Sequence, residues 1–547
     1  MAAHTESPIP AERRLRPAIG AIPLSIAVTL FVLCTANQSF WHKTAAYFSG
    51  TVGATAVFGV GLAALLSAVC IMMSVRFLTK PLFIFLLLTS AVASWFMDRF
   101  GVVVNVDMIR NAAETTQAEA SNLITPAFVW HLVGFGLLPS LLVAWVRIDH
   151  RPFFAKARMN AAFVLPLLLV AAVAATMQMR LLASTSREHR DWLASLNPVG
   201  PIVSAIRYGA STGAEKDIAV QSLGADARVV AAAGRRPRVL VVVAGETARA
   251  ENFSLGGYAR PTNPELAARD VTYFPETTSC GTATAVSLPC MFSVYTRDSY
   301  THRKGLETEN LLDVLSHAGI AVEWWDNNTG SKRIADRVGY TFLPKSADPR
   351  FCREGECQDG ILLDRLGPWL DGVTKDSVLV LHQLGSHGPA YFERYPDAYR
   401  RFKPDCRTAE LADCTAEEIV NAYDNTIAFT DHVLSAIIDE LQRRQDQLDA
   451  SMIYMSDHGE SLGEHGLYLH GAPYLIAPKQ QTQVPFVLWL GGQDRAAIDR
   501  TCLQQRAGEP ASHDNLFHTV LGLMSVATSV YERPLDVLSE CRHAPSA

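Results

Sequence analysis

Long apolar stretches dominate the first third of the chain, and the remainder alternates short apolar runs with polar segments. Five long runs precede residue 180, at about residues 18–41, 53–75, 81–96, 128–146 and 161–179. Each is close to the ~20 residues that a helix needs to cross the hydrocarbon core of a bilayer. Five such runs in succession, with few charges inside them, predict five transmembrane helices.

The basic residues between these runs predict the topology. They lie before the first run, between the second and third, and between the fourth and fifth: Arg13, Arg14, Arg16, Arg76, Lys80, Arg147, Arg151, Lys156 and Arg158. Short loops rich in Lys and Arg stay on the cytoplasmic side, so five spans deliver everything after about residue 180 to the other side. A cleaved signal peptide is the alternative for the first run. It is disfavoured because the run is long, lacks a small-x-small site and precedes four more spans.

The rest of the chain predicts an α/β domain. Residues 181–235 show no strong pattern, whereas from residue 236 short apolar runs alternate with helical and polar stretches. This alternation is typical of a largely parallel sheet. The predicted architecture is an α-helical five-span membrane domain (1–180, with a loop at 100–127), a connecting region (181–235) and an extracytoplasmic α/β domain (236–547).

Four of the apolar runs in the α/β domain end in polar side chains. The runs R-V-L-V-V-V-A-G, I-A-V-E-W-W, S-V-L-V-L-H-Q-L-G and S-M-I-Y-M-S lead into Glu246, Asp326, Ser386 with His387, and Asp457 with His458. Ligands of open α/β sheets bind outside the carboxyl ends of the strands. A single acid after a strand is often only a turn former or helix cap, but four coincident cases favour one polar site.

The residue types at these strand ends favour a metal site. Glu246, Asp457 and His458 offer oxygen and nitrogen donors that suit zinc, with manganese as the main alternative. Thr284, in the loop S-C-G-T-A-T-A-V-S-L-P-C, would complete the ligand set, and metal coordination would activate its hydroxyl as a nucleophile. Helix-forming residues follow Thr284, so a helix N-terminus could receive a phosphate oxygen there. An ordinary N-cap is the alternative for Thr284, and Pro289 should disturb the helix after about a turn.

The cysteines and the net charge indicate the compartment of the α/β domain and exclude one class of partner. Its eight cysteines all lie after residue 279, and three pairs are close in sequence: Cys280 with Cys290, Cys352 with Cys357, and Cys406 with Cys414. Neighbouring pairs within polar loops favour disulfides in an oxidising compartment over reduced core thiols or a zinc cluster. The net charge of −6 and the lack of a basic cluster argue against nucleic-acid binding.

Long motifs in this domain resemble a known family. V-V-A-G-E-T-A-R-A-E-N-F, T-S-C-G-T-A-T-A-V-S-L-P-C, W-W-D-N-N-T-G-S-K, G-S-H-G-P-A-Y and S-D-H-G-E-S-L-G-E-H-G occur in this order. They resemble the phosphoethanolamine transferases of the alkaline-phosphatase/sulfatase superfamily, in particular the bacterial enzymes that modify lipid A and confer polymyxin (colistin) resistance. With the five spans ahead of the motifs, the resemblance covers essentially the whole chain.

The resemblance implies roles for matching residues. Thr284 would be the nucleophile, and Glu246, Thr284, Asp457 and His458 the ligands of the catalytic zinc. Substrate would be bound by Lys332, His387, His470, Asn328 and Thr329, and lipid by Asn111 and Glu119 in the loop after the third span. The clasp of Cys280 and Cys290 fits the family, whereas the loop between Cys352 and Cys357 is shorter than expected.

The resemblance also implies a reaction and a location. Phosphatidylethanolamine would donate phosphoethanolamine to Thr284, and a lipid A phosphate would then accept it, with the catalytic domain in the periplasm and the helices in the bacterial inner membrane. The same superfamily fold serves phosphodiesterases, sulfatases and phosphoglycerol transferases, and fold alone does not decide among them. A core heptose or another envelope glycan is an alternative acceptor. A membrane sensor that binds a zinc-chelated ligand is a further alternative, but it has no need of a hydroxyl at the metal.

Overall fold

A computed structural model describes residues 16–48, 50–149, 152–189, 191–214, 218–230 and 234–543. Three of the basic residues used for the topology prediction, Arg13, Arg14 and Arg151, lie outside these ranges. The chain divides into two compact units: Met1–Asn105 with Pro126–Ile206, and Val106–Thr125 with Arg207–Ala547. The first is called the helical unit below and the second the α/β unit. The boundaries predicted at residues 180 and 235 stay predictions.

Among its described residues, the helical unit contains four helices long and apolar enough to span a bilayer: Val52–Met73, Thr79–Phe100, Pro126–Trp145 and Phe153–Met177. The first predicted span corresponds to two helices, Ala21–Thr35 and Gln38–Tyr47, that meet at an angle of 69°. Five spans are therefore present if the bent pair crosses as one. At the bend, the buried Asn37 exchanges hydrogen bonds with Asn197, donating from Nδ2 at 2.8 Å and accepting on Oδ1 at 2.9 Å.

The remaining elements of the first part of the chain are short. The segment predicted as the loop 100–127 contains two helices of the α/β unit, Val106–Glu114 and Gln117–Leu123. Helices Met179–Glu188, Asp191–Ala194 and Val199–Ala214 follow the last span, and strands Ala18–Gly20 and Arg147–Asp149 pair in parallel. Within Pro126–Trp145, residues Leu132–Leu137 form a π-helical segment.

The α/β unit is built on one eight-stranded sheet. Its strands are β1 (Arg238–Gly245), β2 (Val271–Thr278), β3 (Ala321–Asp326), β4 (Gly339–Phe342), β5 (Ser377–His382), β6 (Asp449–Ser456), β7 (Gln483–Leu490) and β8 (Ala511–Ser512). Their order is β8–β2–β7–β6–β1–β5–β3–β4. The four strands predicted to end in polar residues, β6, β1, β5 and β3, are consecutive and parallel, whereas β7 is antiparallel to both neighbours.

Helices cover both faces of this sheet: Pro264–Ala267, Thr284–Met291, His302–Glu307, Leu311–His317, Gly360–Asp371, Ala416–Gln442, Lys479–Thr482, Gly492–Ala497, Arg500–Ala507 and Asp514–Leu523. Successive residues of β1 alternate between two cores, with Val241 and Val243 in one and Val242 in the other. Such a strand is apolar throughout because both of its faces are buried. The continuous run V-L-V-V-V-A therefore predicts the centre of the sheet.

Three two-stranded pairs complete the α/β unit: Arg228–Val229 with Val526–Ala527, Cys352–Arg353 with Glu356–Cys357, and Ser461–Leu462 with Tyr468–Leu469. The three expected cysteine pairs form disulfides, and Cys502 pairs with Cys541. The two cysteines of the helical unit, Cys34 and Cys70, are free.

Candidate active site

The carboxyl ends of the four parallel strands bring the predicted site residues together. Gly245 at the end of β1 is in register with Ser456 of β6, and His382 of β5 is in register with Asp326 of β3. The residues that follow, Glu246 and Asp457, leave the sheet at the same level. Glu246, Asp457 and His458 are completely buried.

These three side chains could hold a metal ion, because one ligand atom from each lies within 4.8 Å of the others. His458 Nε2 lies 3.4 Å from Glu246 Oε1 and 3.4 Å from Asp457 Oδ2. Asp457 Oδ2 is buried and accepts no hydrogen bond from the part of the chain that the structure describes. A buried carboxylate oxygen without a donor is costly unless a cation is present, so the donor set fits a metal.

The electrostatics of the cluster favour a cation. Burial would raise the pKa of Glu246, but the positive charges of His458, His387 and His470 outweigh this and lower the pKa to about 2. Burial and the neighbouring Glu246 raise the pKa of Asp457 to about 6. The two carboxylates therefore repel one another in a dry site, and a divalent cation would relieve this repulsion.

Of the three hydroxyl groups between Cys280 and Cys290, only one faces the cluster. Thr284 Oγ1 lies 3.1 Å from Glu246 Oε2 and 3.2 Å from His458 Nε2. Thr282 Oγ1 donates to the carbonyl of Ala472 at 2.6 Å, and Ser287 Oγ donates to the carbonyl of Asp457 at 2.5 Å. The hydroxyls of Thr282 and Ser287 thus hold the loop, and that of Thr284 is left for chemistry.

Thr284 begins a helix, as predicted, but it is not the N-cap. The helix runs from Thr284 to Met291, its N-cap is Ala283, and no side chain caps it. The expected interruption by Pro289 is wrong: Pro289 lies inside the helix, near its end. The cost of the missing amide is limited there because little of the helix remains beyond it, and the Cys280–Cys290 disulfide ties the last turn to the loop.

Backbone strain accompanies the cluster of Glu246, Asp457 and His458. Thr247 has φ of +58°, which is unusual for a β-branched residue. It is held there by its N–H, which donates to Asp457 Oδ1 at 3.2 Å, and by its carbonyl, which accepts from Tyr423 at 2.7 Å. Nearby, Gly385 has φ of +54°, and a Cβ there would lie 2.5 Å from the carbonyl oxygen of Glu246. Strain of this kind, about 1–3 kcal/mol per residue, typically occurs at functional sites.

Asn328 joins the cluster to a buried ion pair that the sequence analysis did not identify. Its Nδ2 donates to Glu246 Oε2 at 2.8 Å and to the carbonyl of Gln383 at 2.8 Å. Behind it, Asp326 Oδ2 lies 2.9 Å from His382 Nδ1, and Asp326 Oδ1 accepts from the backbone of Asn328 at 3.0 Å. His382 is hidden inside an apolar run, and only the register of β5 against β3 reveals its partner.

His387 and His470 lie close together beside the cluster of Glu246, Asp457 and His458. Their ring centroids are 5.7 Å apart, and those of His470 and His458 are 4.3 Å apart. His470 Nδ1 is 2.9 Å from Glu460 Oε2, and Tyr391 donates to Glu460 Oε1 at 2.5 Å. Burial raises the pKa of Glu460 to about 8. Sequence pattern alone does not single out Glu460, because its contact with His470 depends on the hairpin of Ser461–Leu462 and Tyr468–Leu469.

The other predicted substrate residues lie in the same unit. Lys332 is nearly buried, has φ of +50°, and donates from Nζ to the carbonyl of Thr329 at 3.1 Å. Asn111 is part of the helix Val106–Glu114, where its carbonyl accepts from Thr115 Oγ1 at 2.8 Å. Glu119 is in the helix Gln117–Leu123, and its side chain lies outside the described residues. The roles of these residues stay predictions.

Comparison with known proteins defines the class and then the family. A profile for sulfatases matches residues 238–526, and one for the phosphoethanolamine transferases EptA/EptB matches residues 62–212. The chain is 38% identical over 530 residues to phosphoethanolamine transferase EptA of Escherichia coli K12, covering 95% of both chains. It is 36% identical over 537 residues to phosphatidylethanolamine transferase Mcr-1 of Escherichia coli, covering 93% of this chain and 96% of the other.

Solved structures of phosphoethanolamine transferases also match this chain. Integral membrane EptA from Neisseria meningitidis superposes with a TM-score of 0.93 at 36% identity, covering 96% of this chain and all of that one. Its soluble domain, solved separately, matches with a TM-score of 0.59 at 45% identity over 60% of this chain. The fold and the site thus define a membrane-anchored transferase with a sulfatase-like catalytic domain. The chain belongs to the EptA and Mcr type of phosphoethanolamine transferases, which confirms the resemblance and the predicted fold class.

Proposed function

We propose that this phosphoethanolamine transferase uses phosphatidylethanolamine as donor and a phosphate of lipid A as acceptor, through a covalent intermediate on Thr284. The observation that carries the proposal is the position of the Thr284 hydroxyl, at a helix N-terminus and within 3.3 Å of both Glu246 and His458. A structural threonine would satisfy its hydroxyl against a backbone carbonyl, as Thr282 does.

Zinc is the cofactor that this donor set fits best. Glu246, Asp457 and His458 would hold it together with Thr284, and two carboxylates, one imidazole and one hydroxyl match its preference for four mixed ligands. When bound, zinc lowers the pKa of a coordinated hydroxyl and offsets charge on phosphoryl oxygens. Manganese would also accept these ligands, but it prefers oxygen donors.

Each step of the transfer can be assigned to residues of the chain. Thr284 Oγ1 attacks the phosphorus of the donor, and diacylglycerol leaves with a proton. A protonated acceptor phosphate then attacks the same phosphorus through one of its oxygens, the bond from phosphorus to Thr284 Oγ1 breaks, and the proton lost by the acceptor passes to Oγ1. Lys332 and the first N–H groups of the Thr284 helix bind the phosphoryl oxygens. His387 and His470 lie beside His458 and move the protons, with Glu460 orienting His470.

The choice of donor and acceptor rests on related enzymes. The name of Mcr-1 identifies a phosphatidylethanolamine transferase. The curated relatives also include the Kdo(2)-lipid A phosphoethanolamine 7''-transferase of Escherichia coli K12, 30% identical over 301 residues. Both proposed substrates are membrane lipids. We therefore propose that the helical unit lies in the bacterial inner membrane, with the α/β unit in the periplasm and Asn111 and Glu119 contacting lipid.

The decisive experiment measures lipid A and the enzyme by mass spectrometry. Cells that express the chain should carry lipid A with an added phosphoethanolamine, and Thr284→Ala should abolish this increment. Purified enzyme incubated with phosphatidylethanolamine alone should carry phosphoethanolamine on Thr284. Thr282→Ala is the matched control, because it removes a neighbouring hydroxyl that only holds the loop.

Three results would overturn the proposal. An adduct on Thr282 or Ser287 would show that Thr284 is not the nucleophile. Release of free phosphoethanolamine without transfer would indicate a phosphodiesterase. A mass increment on a core sugar in place of lipid A would correct the acceptor.

A further inference from the structure

The α/β unit holds an ion pair between a residue of the segment Val106–Thr125 and the proposed phosphate-binding lysine. Glu114 Oε2 lies 3.2 Å from Lys332 Nζ. The Lys332 side chain is 6% exposed and that of Glu114 is 34% exposed. The lysine is therefore sheltered, and the Glu114 side chain is partly exposed although its paired Oε2 oxygen is buried.

The position of Glu114 is set by local structure. It is the last residue of the helix Val106–Glu114. Within the same helix, the buried Arg110 donates to Asp107 Oδ1 at 3.1 Å, one turn back. Met108 reaches the glycine after His470, where a Cβ on Gly471 would lie 3.1 Å from the Met108 methyl group. Glu114 thus approaches Lys332 from an element packed beside the catalytic histidines.

The carboxylate of Glu114 beside Lys332 is unexpected at a site that binds a phosphate, and the chemistry of the substrate explains it. A carboxylate beside Lys332 competes with a phosphate for the ammonium group, so it would weaken the binding of an ordinary anionic substrate. Phosphoethanolamine is not an ordinary anion, because two methylene groups join its phosphate to an ammonium group. The pair of Lys332 and Glu114 is complementary to it: the ammonium group of Lys332 matches the phosphate, and the carboxylate of Glu114 matches the ammonium group.

We propose that Glu114 determines donor specificity by binding the ammonium group of the ethanolamine headgroup. On binding, the phosphate takes the place of the Glu114 carboxylate at Lys332, and the carboxylate pairs with the ammonium group of the same headgroup. One internal ion pair is exchanged for two, so neither enzyme charge is left buried and unpaired. A headgroup without a cation would break the internal pair and leave Glu114 without a partner. This inference rests on the proposed function and adds a determinant of headgroup choice to it.

The test compares two donors that differ in the ammonium group alone. Phosphatidylpropanol has the shape of phosphatidylethanolamine but a methyl group in place of the ammonium. With the full chain in detergent, Glu114→Gln should lower kcat/KM for phosphatidylethanolamine about tenfold or more. The same variant should leave kcat/KM for phosphatidylpropanol unchanged or raise it. Glu114→Asp should recover part of the preference, and Asp107→Asn, a carboxylate on the same helix, should leave the ratio of the two donors unchanged.

A binding measurement separates this inference from the proposed reaction. Wild-type full chain should bind O-phosphoethanolamine more tightly than propyl phosphate, and Glu114→Gln should erase the difference. If Glu114→Gln lowered kcat/KM equally for both donors, the inference would be overturned, because Glu114 would then act only on the position of Lys332. If wild-type enzyme bound O-phosphoethanolamine selectively but did not transfer it from the lipid, the proposed donor would be wrong and the role of Glu114 would stand.

Discussion

The two units of the molecule place large apolar side chains in opposite ways. In the span Phe153–Met177 of the helical unit, Leu165 is 65% exposed and Leu169 is 64% exposed. In the α/β unit, Val241, Val243 and Leu379 are completely buried. Similar residues face outward in one unit and inward in the other because the first is surrounded by hydrocarbon and the second by water. Apolar content alone therefore does not define a core; the length and spacing of the apolar runs do.

The two units also differ in how their buried polar side chains are satisfied. In the helical unit, Ser25 donates to the carbonyl of Ala21 at 2.8 Å and Thr29 to that of Ser25 at 2.9 Å, so each is satisfied within its own helix. In the α/β unit, by contrast, three ionisable side chains are buried against one another: Glu246, Asp457 and His458. Such a cluster is unfavourable for folding alone, which makes function the reason for it. Four predictions test this contrast, beginning with the largest effect.

Changing one ionisable group of the cluster should abolish activity without affecting the helices. Asp457→Asn removes a carboxylate from the proposed metal site, and we expect turnover to fall about a thousandfold or more. Zinc per chain, measured by atomic emission, should fall in parallel. Glu246→Gln should behave alike.

The matched control for Asp457→Asn is Asp494→Asn. Asp494 is also buried, but it accepts from Ser451 Oγ at 2.9 Å, near the start of β6 and away from the cluster. Asp494→Asn should lower stability while zinc content stays at the wild-type level. If Asp457→Asn retained both zinc and turnover, the proposed metal site would be wrong.

Separating the two units should divide the chemistry from the delivery of lipid. A fragment that starts at about residue 209, exported to the periplasm, should fold, because the soluble domain of the Neisseria meningitidis relative was solved alone. It should cleave a short, water-soluble phosphoethanolamine ester slowly, but lipid A modification in cells should fall about a hundredfold or more. The assay is lipid A mass spectrometry beside ester hydrolysis in vitro.

The fragment also lacks Val106–Thr125, which belongs to the α/β unit. Adding a peptide of this segment should raise ester cleavage if it binds the headgroup, and Glu114→Gln in the peptide should remove the gain. Full lipid A modification by the fragment would show that the spans are only a tether.

Much of this contrast could be predicted from the sequence. Run length separated the helical unit from the α/β unit, and strand ends that carry acid or histidine located Glu246, Asp457 and His458 at one edge of a sheet. The antiparallel strand β7 and the two-residue edge strand β8 were not specified, because their pairing depends on partners distant in the chain.

Two features of the site could not be obtained from the sequence alone. The pair of Asp326 and His382 forms only through the register of β3 against β5, and a buried histidine inside an apolar run gives no local signal. The ion pair of Glu114 and Lys332 joins residues more than two hundred positions apart. Residue type and spacing identify chemistry near one strand end, whereas contacts between distant segments require the fold.

A charge introduced by substitution at an outward-facing position should be costly in the helical unit and nearly neutral in the α/β unit. Leu165→Asp places a carboxylate near the middle of the span Phe153–Met177, where insertion becomes less favourable by about 3 kcal/mol. Val230→Asp is the control: Val230 is 58% exposed in the α/β unit, and a surface change there should cost no more than about 0.5 kcal/mol. The readouts are the membrane-inserted fraction and the melting temperature. Equal losses would contradict the assignment of different surroundings to the two units.

The smallest effect concerns acid sensitivity, which the α/β unit acquires by burying a neutral histidine. His518 is 1% exposed on the helix Asp514–Leu523, and burial lowers its pKa to about 4. Its Nδ1 accepts from the backbone N–H of Glu532 at 3.0 Å. Because the folded-state pKa lies below the ordinary value near 6.5, the unfolded chain binds more protons between these values. The stabilising contribution is complete above about pH 6.5 and declines as the pH falls towards 4.

The measurement is urea unfolding of the fragment in chelator, so that loss of metal does not contribute. His518→Asn offers an amide oxygen to the Glu532 N–H without a titrating ring. It should therefore reduce the loss of unfolding free energy between pH 7 and pH 5 by about 2 kcal/mol. His543→Asn, at an exposed position, is the control and should leave the pH dependence as it is in the wild-type fragment. An unchanged slope in His518→Asn would mean that His518 is not held neutral, and that the acid sensitivity of the α/β unit arises from its other buried groups.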